Sequence, residues 1–204
     1  MNTIRWGIIG AGFIADVVAA DFVHVPGAEL TAIAARDLGR AQQFAARHSI
    51  PRAYGTYRGL LEDDDIDVVY VATTHPQHRD VALAAIEAGK AVLVEKAFTA
   101  TLAGAEQVVA AAREKGVFCM EAMWTRFLPA FQAAREVVAW GRIGDVLGVQ
   151  GDLCAYREYD PDHRLFDPTT AGGALLDLGV YVISYADDFM LKKRTMRCGG
   201  RFGP

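Results

Sequence analysis

The chain has 204 residues, and its 52% hydrophobic and 23% charged content predicts a packed core rather than a disordered chain. Its formal net charge of −4 lacks the basic footprint of nucleic-acid-binding proteins, so we expect no nucleic-acid partner. No apolar run in the sequence is long enough to span a bilayer, and the first residues lack the layout of a signal peptide. Three widely spaced cysteines without a C-x-x-C pair favour reduced thiols, and hence a cytoplasmic protein, over disulfides or a metal site.

The first predicted element is a strand that starts near Ile4 and enters the turn GAGFIA at 10–15, from which a helical pattern continues. This order of strand, glycine turn and helix is the context of the G-x-G-x-x-A dinucleotide fingerprint. Gly10 allows the tight turn, Gly12 has no side chain to block a pyrophosphate, and Ala15 lets the helix pack closely on the strand. The free N–H groups at the helix N-terminus would face the phosphates, so the turn predicts a nucleotide site.

Strand and helix patterns then alternate along the chain. Strands are predicted at 29–34, 67–73, 91–95 and 117–120, and helices at 38–48, 80–88 and 102–115. This alternation predicts an α/β fold with a doubly wound parallel sheet, in which ligands bind beyond the carboxyl ends of the strands. The segments 73–75, 95–96 and 121–126 follow such strand ends and are therefore candidate site segments. The acidic run 62–65 is predicted to be a solvated loop.

The pattern changes after about residue 121. A helix is predicted at 129–140, a strand of another sheet at 146–153, and an apolar helix at 174–186. We therefore predict a Rossmann domain at 1–121 and the start of an α+β second domain at 122–204. The segment 191–204 shows no strand alternation and resembles a truncated or frameshifted ending. We expect an incomplete second domain, association through apolar surface around 174–186, and weak or absent activity.

Several motifs occur together in an order that resembles the Gfo/Idh/MocA oxidoreductases. The matching stretches are GIIGAGFIA at 7–15, AARD at 34–37, ATTHPQH at 72–78, AVLVEKA at 91–97, EAMWTRFLP at 121–129 and GGALLDLGVY at 172–181. The resemblance implies an N-terminal Rossmann domain, a C-terminal domain built on a large open sheet, and a homodimer. Within the family, the chain is most similar to NADP-dependent dehydrogenases of vicinal diols and of aldoses. The implied substrate is an aromatic trans-dihydrodiol or a sugar such as xylose.

The resemblance also implies the catalytic residues Lys96, Asp177 and Tyr181. Oxidation of an alcohol needs a base for the hydroxyl proton while hydride leaves the carbon. A phenol, with an ordinary pKa of about 10, needs a nearby cation to act near neutral pH, and Lys96 could be that cation with Asp177 holding it. From the residues alone, the favoured interpretation of Asp177 and Tyr181 is a solvated aspartate and a buried tyrosine on one amphipathic helix, and the resemblance reverses that preference. Ala97 departs from the family motif Glu-Lys-Pro.

Cofactor preference is predicted from the residue that follows the second strand. A carboxylate there would hold the ribose 2′-OH of NAD, whereas an arginine would accept the 2′-phosphate of NADP. Arg36 therefore favours NADP, with NAD as the alternative, because a guanidinium binds phosphate bidentately. The neighbouring Asp37 would repel a phosphate if it pointed inward.

Two further groups of residues have more than one interpretation. His75 and His78 stand three apart, but no third ligand completes a metal site, so a structural role or a place at the cofactor edge is favoured. The family implies that Trp124 and Arg126 line the cleft, although a core role for Trp124 is equally open. The predicted cofactor-binding residues are Gly10, Gly12, Phe13, Ile14, Arg36, Thr73, Thr74, His75, His78, Glu95, Lys96, Trp124 and Arg126.

Two functions remain open at this point. The first is an NADP-dependent oxidoreductase that transfers hydride between a diol or sugar hydroxyl and the nicotinamide. The second is a non-catalytic nucleotide-binding protein or an inactive truncated family member, because Ala97 departs from the motif and the chain is short.

Overall fold

The computed structural model describes residues 3–190, which contain a six-stranded sheet in which all neighbouring strands are parallel. The strands are β1 (Ile4–Ile9), β2 (Ala28–Ala34), β3 (Arg52–Tyr54), β4 (Val68–Val71), β5 (Ala91–Val94) and β6 (Cys119–Glu121). Their order across the sheet is β3-β2-β1-β4-β5-β6. This is the strand order of the Rossmann fold, whose switch point lies between β1 and β4.

Helices cover both faces of the sheet. They are α1 (Phe13–Asp21), α2 (Leu38–His48), α3 (Tyr57–Leu61), α4 (His75–Glu87), α5 (Leu102–Lys115), α6 (Pro129–Ala139) and α7 (Val180–Met190). Ile8 packs in a core with residues of α1 and α2, whereas the next residue, Ile9, packs in a second core with residues of α4 and α5. Successive residues of β1 therefore pack into cores on opposite faces of the sheet. The predicted doubly wound α/β fold is confirmed.

Local signals explain several helix ends. Asp37 caps α2 by accepting a hydrogen bond from the backbone N–H of Arg40 at 2.7 Å. Gly116 ends α5 in the left-handed conformation, as the sequence pattern predicted. Helix α4 begins at His75 rather than at residue 80, because Pro76 occupies its first turn, where a missing N–H costs nothing. The short elements β3 and α3 were not predicted.

The predicted strand at 146–153 is wrong. Residues 145–160 have no regular secondary structure, and Leu147 is 91% exposed. A strand needs a neighbour for its backbone N–H and C=O groups, and no strand among residues 3–190 pairs with this segment. The predicted helix at 174–186 is confirmed, with the difference that its first part is a π-helical turn, Leu175–Gly179, which continues directly into α7.

The prediction of a merely solvated loop at 62–65 is wrong for Asp63. Its side chain is largely buried, accepts a hydrogen bond from Tyr54 Oη at 2.8 Å and pairs with Arg52 at 3.1 Å. No helix among the described residues is both long and apolar enough to cross a membrane. The predictions about 191–204 lie outside the described residues, and the domain division at 121/122 stays a prediction.

Candidate active site

The glycine turn joins β1 to α1 at the carboxyl end of the sheet. Gly10 has φ +108°, and a Cβ there would lie 2.5 Å from the carbonyl oxygen of Ala72 on β4's side of the sheet. A side chain at this position is therefore excluded both by conformation and by contact. A Cβ on Gly12, by contrast, would meet no atom within 4 Å. Gly12 leaves open space in front of the N-terminus of α1, where N–H groups attract phosphate.

A cleft of about 840 Å³ opens in front of this turn. Its lining includes most of the residues singled out from the sequence, namely Gly10, Gly12, Phe13, Ile14, Arg36, Thr73, Thr74, His75, Glu95, Lys96, Asp177 and Tyr181. The strand ends therefore contribute to one cavity together with the segment before α7. Thr73 Oγ1 is buried beside the cleft and has no hydrogen-bond partner among residues 3–190.

One end of the cleft is cationic. Arg36 lines it, and no side-chain hydrogen bond links Arg36 to another residue of the described chain. Arg40 also lines the cleft, and its guanidinium donates a hydrogen bond to the carbonyl oxygen of Ala11 at 3.1 Å. Asp37 Oδ1 is occupied by its cap hydrogen bond to the N–H of Arg40. The two guanidinium groups therefore face the cleft beside a carboxylate that already has a donor.

Lys96, also in the lining of the cleft, joins the turn after β5 to the segment before α7. Its Nζ donates to the carbonyl oxygen of Asp177 at 2.7 Å and to Asp177 Oδ1 at 2.8 Å. The same Nζ lies 5.2 Å from the ring centroid of Tyr181. Burial opposes ionisation of Asp177, but the hydrogen bond and charge of Lys96 outweigh it and lower the pKa of that carboxyl. Asp177 is therefore an ionised anchor for the lysine.

Trp124 and Arg126 contact the α7 segment. Trp124 Nε1 donates to Tyr181 Oη at 3.1 Å, and the two rings meet edge to face. Arg126 Nε donates to Ser184 Oγ at 2.7 Å, and its Nη2 lies 3.3 Å from Asp187 Oδ2. Neither residue is among those that line the cleft. Trp124 thus reaches the site through the tyrosine hydroxyl, and Arg126 ties its own turn, Trp124–Phe127, to α7.

The two histidines have different surroundings. His75 lines the cleft, and its Nδ1 lies 3.3 Å from the carbonyl oxygen of Ala171. His78 is fully buried, with Nδ1 2.8 Å from Ala97 O and Nε2 3.1 Å from Thr73 O. Burial lowers the pKa of both imidazoles. His78 therefore links the loop after β4 to the loop after β5, and it does not line the cleft itself.

Glu95 is buried at the end of β5. Its Oε1 accepts a hydrogen bond from Tyr70 Oη at 2.6 Å, and its Oε2 accepts one from the backbone N–H of Lys96 at 3.1 Å. Burial raises the pKa of Glu95 and also that of Tyr70. The peptide bond between Lys96 and Ala97 is cis, although residue 97 is not proline.

Comparisons with known proteins agree with this arrangement. The family described as an oxidoreductase family with an NAD-binding Rossmann fold, Gfo/Idh/MocA, matches residues 4–123. The C-terminal domain of the same family matches residues 131–200. The chain belongs to the Gfo/Idh/MocA oxidoreductase family.

Curated relatives in this family include trans-1,2-dihydrobenzene-1,2-diol dehydrogenases. The chain is 44% identical to the Bos taurus protein over 184 residues, which are 89% of this chain and 54% of the relative. It is 42% identical to the Homo sapiens protein over 184 residues, again 89% and 54% of the two chains. The chain thus spans about half the length of the curated relatives it matches.

Solved structures of the family have the same fold. A levoglucosan dehydrogenase in complex with NADH and levoglucosan superposes with a TM-score of 0.82 at 26% identity, covering 93% of this chain and 54% of that one. A 3-ketoreductase from Actinomadura kijaniata in complex with NADP gives 0.75 at 33% identity, covering 92% and 56%. Similar solved structures therefore include complexes with either dinucleotide.

Sequence reasoning missed several residues of the cleft, among them Arg40, Tyr57, Gln77, Arg157 and Arg164. Arg40 carried a weak signal, because it is a second arginine, four residues after Arg36, in the first turn of α2. Arg157 and Arg164 carried none. They lie in a stretch without regular structure or in short turns, so no periodicity relates them to the sheet.

Proposed function

We propose that this chain is the catalytic part of an NADP-dependent oxidoreductase that transfers hydride between the hydroxyl-bearing carbon of a diol or sugar and a nicotinamide. The observation that carries the proposal is Lys96, held by Asp177 beside Tyr181, in the same cleft as the Gly10–Gly12 turn. A dinucleotide turn and an acid–base group in one cleft are what alcohol oxidation requires.

The residues of the cleft fit a dinucleotide. Gly12 leaves the open space that a pyrophosphate needs, and the buried hydroxyl of Thr73 lacks a partner within the described chain. A buried polar group without a partner is costly, so a ligand atom that bonds to Thr73 would relieve that cost. When bound, the nicotinamide supplies the carbon that accepts or releases the hydride.

In this proposal Tyr181 holds and moves the proton. Its hydroxyl accepts a hydrogen bond from Trp124 Nε1, which fixes the position of the hydroxyl oxygen. Lys96 adds a positive charge beside the ring. Asp177 keeps that ammonium in place through two oxygens of the same residue. Tyr181 would then take the substrate hydroxyl proton as the hydride leaves the carbon.

The cationic end of the cleft supports NADP over NAD. Arg36 and Arg40 present two guanidinium groups there, and a 2′-phosphate is the part of NADP that NAD lacks. Asp37 also lines this end, where its Oδ1 accepts the cap hydrogen bond from Arg40 N, and the two guanidinium groups oppose its negative charge. We therefore propose that this end binds the 2′-phosphate.

The substrate class follows from the relatives. The curated relatives are named as dehydrogenases of a trans-dihydrodiol, and a solved neighbour holds a sugar derivative, levoglucosan. We propose a vicinal diol of either kind, an aromatic trans-dihydrodiol or an aldose such as xylose. A homodimer is proposed as well, and the mass of the protein in solution tests it. Exposed apolar side chains on and before α7, among them Leu175 and Ile183, support association.

The test is cofactor reduction, followed by absorbance, with a panel of trans-dihydrodiols and pentoses. We expect NADP-dependent reduction with at least one diol, and a Tyr181→Phe variant should be slower and have an altered pH profile. Binding of NADP without turnover on any diol would instead support a non-catalytic nucleotide-binding protein. A Tyr181→Phe variant with the wild-type rate and pH profile would remove Tyr181 from the mechanism.

A further inference from the structure

The turn that carries Lys96 has buried partners for its backbone polar groups. The N–H of Lys96 donates to Glu95 Oε2 at 3.1 Å, and the carbonyl oxygen of Ala97 lies 2.8 Å from His78 Nδ1. Ala97 itself is buried. Since a loop of this kind has no ladder of its own, these side-chain contacts decide where its backbone lies.

The next N–H of the turn is held by a residue from a different strand. The N–H of Phe98 donates to Glu121 Oε1 at 2.8 Å. Glu121 is the last residue of β6 and stands opposite Val94, the last residue of β5, in the parallel pair. Its backbone is fixed by the sheet, so its side chain reaches beyond the end of β5 from a rigid support.

Glu121 is also separated from the reacting groups. It is partly buried, does not line the cleft, and has no hydrogen bond to Lys96 Nζ, Asp177 or Tyr181. Burial raises the pKa of its carboxyl, although the hydrogen bond from Phe98 N opposes that shift. The carboxyl of Glu121 also interacts with the charges of Arg126 and Glu95. Its hydrogen bond to the turn, however, is with the backbone N–H of Phe98.

We propose that Glu121 is a positioning residue for Lys96, acting through its hydrogen bond with the Phe98 N–H. The proposal rests on the function proposed above, in which Lys96 Nζ must lie beside Tyr181. Glu95 holds the N–H of Lys96 and Glu121 holds that of Phe98, so the turn is fixed at both sides of Ala97. What matters is an acceptor oxygen at the position of Oε1.

Two variants separate the acceptor from the charge. Glu121→Gln keeps an oxygen at this position and loses the charge, whereas Glu121→Leu has similar size and no acceptor. In Glu121→Leu the Phe98 N–H is left without its partner, and the turn must move to find another. Glu121→Asp withdraws the carboxylate by one methylene and serves as a milder variant should Glu121→Leu fail to fold.

Two readouts are measured on the purified chain. One is steady-state turnover with NADP and the best diol of the panel. The other is the ¹³C resonance of the Lys96 ε-carbon, assigned by its loss in Lys96→Met, followed as a function of pH. The resonance reports the environment of the ammonium without any need for turnover. Val92→Ala is the matched control, because it removes two fully buried methyl groups from β5 without changing a residue of the turn.

We expect Glu121→Leu to lower kcat by about 10²-fold, the scale of a 1 Å misplacement, with NADP affinity nearly unchanged. Its Lys96 resonance should move toward that of a solvated lysine, and Glu121→Asp should fall between it and the wild type. Glu121→Gln should resemble the wild type in both readouts. Val92→Ala should lower the unfolding temperature and leave the Lys96 resonance in place.

Three results would overturn the proposal: an unmoved Lys96 resonance in both Glu121→Leu and Glu121→Asp, a Glu121→Gln variant as impaired as Glu121→Leu, or an equal shift in Val92→Ala. A wild-type chain that turns over no diol would count against the proposed function alone. The Lys96 resonance would then still decide whether Glu121 positions the lysine.

Discussion

Charged side chains have different surroundings at the two ends of the parallel sheet. At the end where the strands begin, Arg5 of β1 pairs with Asp67 at 2.8 Å and with Asp65 at 2.6 Å. Arg52 at the start of β3 pairs with Asp65 at 3.0 Å. Lys90, just before β5, donates to the carbonyl oxygen of Asp63 at 2.7 Å. The two arginines at this end are thus paired with carboxylates, and the lysine is bonded to backbone carbonyl oxygens.

At the end where the strands finish, cationic groups face a cleft. Arg36 has no side-chain partner within residues 3–190, and Lys96 is held by Asp177 beside the hydroxyl-bearing ring of Tyr181. The difference follows from the parallel arrangement. In a parallel sheet, the loops that lead from strands into helices all lie at the carboxyl ends of the strands, so the helix N-termini lie there too. Variants at the cleft end should therefore change ligand binding and rate, and variants at the other end should change stability.

The largest effect is expected at Lys96. Lys96→Met removes the cation beside Tyr181 and leaves Asp177 without its partner. We expect turnover to fall by about 10²–10⁴-fold, the usual contribution of acid–base groups, while NADP binding stays nearly intact. Steady-state rates and a fluorescence titration with NADPH measure the two quantities. A variant with a near-normal rate would place Lys96 outside the mechanism and weaken the contrast between the two ends.

The two glycines of the turn form a matched pair. In Gly10→Ala the new Cβ meets the Ala72 carbonyl oxygen at a positive φ, so we expect a loss of at least about 1–3 kcal/mol of unfolding free energy. In Gly12→Ala the Cβ enters open space, so the fold should be kept while dinucleotide affinity falls. Denaturant unfolding and cofactor titration of both variants check this. Equal destabilisation of the two variants would contradict the geometry of the turn.

Arg36 sharpens the comparison through cofactor choice. Arg36→Ala should lower the affinity for NADP by about 10- to 100-fold, the value of a charge-assisted hydrogen bond, and change that for NAD little. Titration of both dinucleotides against wild type and variant gives the ratio. Arg58→Ala is the control for the loss of a cation elsewhere, because the Arg58 guanidinium pairs with Glu62 four residues later. An unchanged NADP/NAD ratio would remove Arg36 from the 2′-phosphate site.

The smallest effect is expected at Asp67, at the opposite end of the sheet. Hydrogen bonds from Arg5 hold the pKa of Asp67 at about 2, below an unfolded value of about 4. The contribution of the ionised Asp67 to the free energy of unfolding is therefore complete above about pH 4 and is lost as the pH falls through about 2. Asp67→Asn should be slightly less stable at pH 7 and lose less stability on acidification, with unchanged NADP affinity. Urea unfolding at several pH values measures it, and a changed cofactor affinity would break the contrast between the ends.

Much of the sheet could be predicted because its signals are local. The GAGFIA turn, the apolar strand at 67–73 and the long helix ended by Gly116 each lie within one short window, where periodicity and turn chemistry act directly. The strand at 146–153 failed for the opposite reason. Its alternation is compatible with a strand, but pairing depends on a neighbour that no local pattern supplies.

The prediction of a solvated loop at 62–65 was wrong for Asp63 for the same reason. Its composition is typical of a solvated loop, yet Asp63 is held by Tyr54 and Arg52, which precede it by about ten residues on the short, unpredicted β3. Arg40 stands close to Arg36 in the sequence, but whether its side chain reaches the cleft depends on how α2 leaves β2. In each case the deciding contact joins residues that the sequence pattern does not relate.

By itself, the sequence determined the parallel α/β alternation, the dinucleotide turn and, through shared motifs, the Gfo/Idh/MocA family. These depend on backbone conformation and on side-chain periodicity, which are properties of short segments. The resemblance suggested that Asp177 holds Lys96, and the tertiary structure gave the contact itself, across 81 residues of chain. Only the tertiary structure decided that Trp124 reaches Tyr181 and that Asp37 caps a helix. Such contacts require separate elements to pack at ångström precision, and packing is set by the whole chain rather than by any window of it.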